Sequence, residues 1–335
     1  SDFAREISCS HCELLSLFVL SISSNSEAFP SAMILSASSS TSWIALIVSL
    51  TISCPPKLTE SYPNYIVHAY NYQINMNNYY LKIADIKIHV KSPFKINIGV
   101  ESEDFISCDE GDDIFLEYIG VEEPIKIEGT LLYDYEIKFY KTDLGIMHQL
   151  HPAKNYDPYA WVIPVNKHHY EVLYLIGEEK CIDYSRNIID IMNIENVLNK
   201  FNGFILHSSF INWQNNGILF SAPSGTGKST QADLWNKHEN AEIINGDRAG
   251  VRNVDGVWSA YGLPVAGSSG IYKNKKVQIS HIIVLRQGTE NKLTRLSPRD
   301  AFIKIYSETT VHTWDDEFQN NILNMISDLV QNVPV

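Results

Sequence analysis

Basic residues are in short supply: 26 Lys and Arg stand against 39 Asp and Glu in 335 residues, a net charge of −13. That balance argues against a protein held to nucleic acid by phosphate contacts. Cysteine is also sparse, with only Cys9, Cys12, Cys54, Cys108 and Cys181. An odd, scattered set gives no disulfide framework, and a reducing, cytoplasmic location is expected. Cys9 and Cys12 form a lone C-x-x-C with no second pair or ligand histidine at finger spacing, so zinc is not indicated. Long apolar runs are missing too. Leu14–Ile22 and Trp43–Ile52 both fall well short of the ~20 residues a spanning helix needs.

Residues 1–56 lack glycine altogether and carry only five charges, with none from Ala28 to Pro56, yet they contain 16 serines. A secretory signal would need a basic start, and Asp2, Glu6 and Glu13 surround a single Arg5. The segment 1–60 therefore reads as a Ser-rich leader outside any domain, closed off by Pro55 and Pro56.

What remains is enough for two domains. The chain is 44% hydrophobic, which rules out wholesale disorder. Residues 1–200 hold 14 basic and 27 acidic residues, whereas residues 201–335 hold 12 of each. The second part could thus take an anionic ligand without opposing its own field. Residues 61–186 read as a β-rich accessory domain. Tyr80–Val90 alternates with period two as a strand, and Ile114–Ile119, Ile125–Ile127, Tyr135–Tyr140, Ala160–Val165 and Tyr170–Ile176 follow. The last two make a hairpin around 166–169, and the acidic run Glu101–Asp113 reads as a solvated loop. His148, His151, His168 and His169 share no ligand spacing with a carboxylate or Cys, so they read as strand or surface histidines. A helix is expected from Ile188 to about Phe201, ended by Asn202-Gly203.

Residues 187–335 carry the strongest signal. Phe204–Trp213 and Gly217–Ala222 read as buried strands, and the second runs into Pro223-Ser-Gly-Thr-Gly-Lys-Ser-Thr230 and then a helical stretch. Strand, Gly-rich turn, Lys-Ser, helix is the context of a phosphate-binding loop. Gly225 and Gly227 let successive N–H groups converge on one anion, and the helix adds its positive N-terminal end. Ser224, Gly225, Thr226, Gly227, Lys228, Ser229 and Thr230 are the expected nucleotide contacts, with Lys228 on the β/γ-phosphates and the Ser229 hydroxyl on Mg²⁺. Ala222 replaces the glycine that usually opens the pattern. Ala241–Asp247 reads as a further strand whose Asp247 is a second candidate Mg²⁺ ligand. Arg248 and Arg252 could clamp phosphate, or form surface ion pairs. Gly262–Gly270 could donate to a phosphate or acceptor, or be an ordinary connection, and Tyr272–Lys276 reads as a solvated turn. Ser297, Pro298 and Asp300 start a helix, and a last helix runs from about Asp315 to Val330 with Ile322, Leu323, Ile326, Leu329 and Val330 on its core face.

The stretch from Ile205-Leu-His through Gly217–Ser229 resembles the catalytic core of the bacterial HPr serine kinase/phosphorylases. Ser224–Thr230 and Asn245-Gly-Asp247 are also similar to the nucleotide motifs of phosphoenolpyruvate carboxykinases. The resemblance is good over about 204–250 and weaker toward the C-terminus. It implies an α/β (α+β) chain with a carboxykinase-like P-loop nucleotide-binding domain, preceded by the β-rich domain. It further implies His207 as the active-site histidine, Lys228 and Ser229 as phosphate and metal residues, and Asp247 as the first of a paired Asp-Asp. Arg248 stands where the second Asp belongs, and the segment that marks the phosphorylase reaction is not found. The likeness is therefore greater to HPr-kinase-like proteins of unassigned or peptide substrate, some of them from lasso-peptide pathways. In related proteins a closing strand follows the position of Val335.

The expected activity is transfer of the ATP γ-phosphoryl group, with Mg²⁺, to a serine or other hydroxyl of a peptide or protein. His207 or Asp247 would orient the acceptor hydroxyl and take its proton. A homo-oligomer is compatible with this, while nucleic acid and membrane partners are not expected. The alternatives are a nucleotide-binding regulatory protein and a carboxykinase-like enzyme on a small metabolite.

Overall fold

The computed structural model describes residues 76–335 apart from 266 and 268. The chain divides into Ser1–Ile66 and Val67–Val335, and every described residue belongs to the second unit. The expected leader, the cysteines Cys9, Cys12 and Cys54, and the start of the β-rich region lie outside the described residues. The fold is mixed α/β with two β-sheets. No helix among the described residues is long and apolar enough to cross a membrane.

The first sheet has eight strands: β1 Asn77–Ile83, β2 Ile86–Ser92, β3 Ile114–Val121, β4 Thr130–Tyr133, β5 Ile137–Thr142, β6 Gly145–Leu150, β7 Ala160–Pro164 and β8 His169–Leu175. Their order is β1-β2-β3-β8-β7-β6-β5-β4, with β2–β3 and β3–β8 parallel. The alternating stretch Tyr80–Val90 is two strands rather than one. Ala84 and Asp85 take left-handed conformations (φ 52° and 61°), which folds it into a two-residue hairpin with Ile83 opposite Ile86. The β7–β8 hairpin forms as its sequence suggests, and Asn166 Oδ1 accepts from the His168 and His169 backbone N–H groups. Ile125–Ile127 is not a strand, whereas β4 and β6 carry no strong alternation and were not expected. One turn of helix, Val100–Glu103, interrupts the acidic loop.

Two short helices follow, α1 Ser185–Ile191 and α2 Ile194–Lys200, in place of one long helix. The break is at Asn193, which turns left-handed (φ 49°) and caps α2 by accepting from Asn196 N. Both helices cover the inner face of the first sheet. Ile188, Ile191, Val197 and Leu198 join Leu81, Ile88, Leu116 and Val172 in one core, which also takes in Ile205 and Tyr261 of the second sheet and Leu263 just beyond it. His148, buried in this layer, bonds through Nε2 to Ile191 O, so it is a core histidine.

The second sheet contains β9 Gly203–Trp213, β10 Asn216–Ser221, β11 Glu242–Asn245, β12 Arg248–Val254, β13 Val257–Gly262 and β14 Lys276–Val284, with α3 Lys228–Glu239 between β10 and β11. Its order is β10-β14-β13-β12-β9-β11, and β10 also pairs with β9. The chain ends in α4 Pro298–Ser307 and α5 Asp316–Asn332. Ser297 caps α4 as expected, accepting from Asp300 N. Ile322, Ile326 and Leu329 of α5 pack with Phe204, Leu206 and Leu219, whereas Leu323 points outward, 37% exposed.

Two charged groups in these layers have measurable consequences. Arg252 is not part of a phosphate clamp. It is buried, its Nε donates to Phe201 O, its Nη1 donates to Ala84 O, and its guanidinium lies over the Phe201 and Tyr261 rings. Arg252→Ala would strand two carbonyls and unpack the stem, at a cost of about 3 kcal/mol. A fall in the urea midpoint checks this, and an unchanged midpoint contradicts it.

Glu171 is buried with Oε2 unpartnered, and burial, aided by Glu117, pushes its carboxyl up to about 7 from 4.5. The folded state keeps a proton that the unfolded chain gives up above 4.5. Its stabilisation is thus present below that pH and lost as pH rises to about 7, roughly 3 kcal/mol in all. Glu171→Gln should be the more stable protein above pH 7 and should lose that slope, read as unfolding midpoints from pH 5 to 8. An unaltered slope contradicts the assignment. His148, held down to about 4 by burial, acts with the opposite sign below 6.5.

Candidate functional site

The site forms where β9 changes partners. Its first half, Gly203–His207, pairs with β12, and its second half, from Ser208, pairs with β10. His207 is the last residue on the β12 side, opposite Arg248, and Ser208 is the first on the β10 side, opposite Ser221. The chain leaving β10 therefore enters the phosphate loop at the level of His207, and the chain entering β12 brings Asp247 to the same level. This accounts for burial along β9, where His207 is the one half-open residue between Gly203 and Ile211.

Main-chain hydrogen bonds fix a carboxylate on each side of the histidine. His207 N donates to Glu308 O and Ser208 N donates to Asp247 O, both at 2.9 Å. The side chains then meet: His207 Nδ1 lies 3.1 Å from Glu308 Oε2, and Nε2 lies 3.4 Å from Asp247 Oδ1. With its proton on Nδ1 shared with Glu308, the ring leaves Nε2 free to accept one. A proton taken up at Nε2 then has Asp247 to point at.

The Asp247 turn is held by Asn245, which is fully buried. Its Oδ1 accepts from Asp247 N and Arg248 N, and its Nδ2 donates to Leu263 O and Val265 O. The Gly262–Gly270 connection packs directly on this turn. A Cβ on Gly267 would stand 2.7 Å from Asp247 Cβ, so the close approach needs glycine there.

The phosphate loop has the backbone its residues suggest. Gly225 and Gly227 are left-handed (φ 79° and 116°), and a Cβ on either would meet nothing within 4 Å, so open space lies beside them. Gly227 caps α3, and Ser229 and Thr230 are exposed in its first turn. Lys228 folds back to donate to Ala222 O at 2.8 Å. Burial pulls its ammonium below the ordinary lysine range, against the opposing pull of Glu308 and Asp247. Ser221, the residue before Ala222, donates through Oγ to His207 O at 3.0 Å, which ties the start of the loop to the histidine strand.

These groups suit a triphosphate with Mg²⁺. Left-handed glycines before a helix N-terminus make an anion nest, and a hydroxyl with a carboxylate is a hard-oxygen donor set. Ser229 and Asp247 would hold the metal together with phosphate oxygens. Among the described residues no group of three or more His, Cys, Asp or Glu could hold a metal by itself.

Beside His207 is a polar cavity of about 360 Å³ walled by Asp247, Arg248, Glu308 and the hydroxyl residues Ser307, Thr309 and Thr310. Arg248 Nε is 3.5 Å from Asp247 Oδ2. The structure thus brings His207, Asp247 and Arg248 together around the cavity, with Lys228 held on Ala222 O at the start of the adjoining loop. Arg252 lies elsewhere, and Lys273 and Lys275 of the basic turn pair with Glu242.

Glu308 was not found by sequence reasoning. It sits 101 residues from His207 in a segment with no motif, and reaches β9 through an isolated bridge between Leu206 and Thr309.

No protein-family model matches the chain, and no curated protein matches it. Among solved structures, the HPr(Ser) kinase/phosphatase from Coxiella burnetii is similar in part. The overlap covers 27% of this chain and 69% of that one, at 12% identity and a TM-score of 0.21.

Proposed function

We propose that this chain is an ATP-dependent phosphotransferase that moves the γ-phosphoryl group to a serine or other hydroxyl of a peptide or protein. The observation that carries the reading is a histidine bracketed by Asp247 and Glu308 on the strand hydrogen-bonded to the start of the Gly-rich loop, where Lys228 donates to Ala222 O. In this reading residues 187–335 form a carboxykinase-like P-loop nucleotide-binding domain, with backbone groups from Pro223 to Ser229 on the phosphates. Mg²⁺, when bound to Ser229 and Asp247, would neutralise charge on the phosphates.

The chain's own groups do the rest. Glu308 fixes the His207 ring, and Nε2 accepts the acceptor hydroxyl proton as the new O–P bond forms and the bond to the β–γ bridging oxygen breaks. Lys228 stabilises the charge that gathers on the departing diphosphate. Positioning and charge neutralisation suffice for such chemistry.

Turnover of ATP, measured with and without Ser-containing peptides, tests the proposal. ADP release that rises with an acceptor, with phosphate recovered on serine, supports it. Tight nucleotide binding with no transfer to any acceptor would point instead to a regulatory nucleotide-binding protein.

A further inference from the structure

The cavity beside His207 shows an asymmetry. Arg248 stands opposite His207 on the β12 side of β9, whereas the phosphate loop leaves β10, the partner of the other half of β9. Arg248 is 43% exposed and its Nε lies 3.5 Å from Asp247 Oδ2; Glu195 of α2 also acts on its charge, and its two terminal nitrogens make no hydrogen bond among the described residues. An arginine that leaves a planar pair of donors facing a polar cavity is suited to bind an oxyanion two-pronged. The hydroxyl residues of the lining, Ser307, Thr309 and Thr310, add no further positive charge.

We propose that the acceptor is a peptide whose target hydroxyl is flanked by an oxyanion, a carboxylate or a phosphate, and that Arg248 binds that oxyanion. The inference rests on the phosphotransferase reading and specifies its acceptor. Arg248 then acts in recognition: it brings the hydroxyl to His207 Nε2 by holding the group next to it.

The test uses the full chain, saturated with a non-hydrolysable ATP analogue, and three fluorescent nine-residue peptides with one central serine. The residue next to the serine is Glu, phosphothreonine or Gln. The wild-type protein is expected to bind the Glu or the phosphothreonine peptide at least about tenfold more tightly than the Gln peptide, the value for a charged pair lost. The ranking of the first two tells carboxylate from phosphate.

Arg248→Ala should bind all three peptides alike, and Arg248→Lys should keep part of the preference, which guards against a folding defect in the first variant. No discrimination by the wild type, no binding of any peptide, or a preference that survives in Arg248→Ala overturns the proposal. Discrimination without transfer of labelled phosphate from ATP leaves the oxyanion subsite standing and removes the kinase reading, so the two failures are distinct.

Discussion

His207→Ala is expected to lower phosphoryl transfer by about 10³-fold, within the range for removal of a general base, while nucleotide affinity stays within about twofold. The split follows from geometry. The ring touches Glu308 and Asp247 and faces the cavity, and no hydrogen bond ties its side chain to the loop from Pro223 to Ser229. Its main-chain bonds, to Glu308 O and from Ser221 Oγ, survive the substitution. Nucleotide binding should therefore be intact and the chemical step impaired. Measuring the turnover number and the nucleotide dissociation constant on the same preparation separates the two. If affinity falls with turnover, His207 is a structural member of β9 and the base assignment is wrong.

Lys228→Ala should be the more damaging change, costing about 10³-fold in transfer and, in addition, about tenfold or more in nucleotide affinity. The ammonium now donates to Ala222 O inside a buried site, which holds the cation at the mouth of the loop. Burial weakens its charged form, and Asp247 and Glu308 sustain it, so a phosphate arriving there meets a desolvated cation. Deleting it leaves those carboxylates to repel the polyanion. Lys228→Arg should not restore transfer, because the larger planar group cannot follow the path to Ala222 O. Transfer that persists in Lys228→Ala at the wild-type rate would show that the loop is not the phosphate site.

How much of this was legible in the sequence depended on the distance over which the signal acts. The phosphate loop is local: strand, left-handed glycines, Lys-Ser and helix occupy one continuous stretch, and the backbone follows it. The α4 cap at Ser297 and the β7–β8 hairpin are local in the same sense. Asn193 shows where local pattern misleads. The apolar stripe from Ile188 to Leu198 is continuous, so it reads as one helix, yet a left-handed Asn193 lets α1 and α2 meet the sheet as two. Ala84-Asp85 is similar, since the alternation of β1 and β2 runs straight through a turn lacking the usual Asn-Gly. Arg252 could not be told from a phosphate ligand until its partners, Ala84 and Phe201, were seen. Glu308 was invisible because only the Leu206–Thr309 bridge, formed after folding, brings it to His207.

The central claim, that this is a triphosphate site facing a histidine base, is tested most directly by titrating the full chain with a non-hydrolysable ATP analogue and Mg²⁺, followed by phosphorus NMR. Saturable binding of one nucleotide per chain, with the β- and γ-phosphorus signals shifted over the same concentration range in the wild type and in His207→Ala but only at about tenfold or higher concentration in Lys228→Ala, is the predicted result. No binding by the wild type, or shifts that are the same in Lys228→Ala, would contradict it.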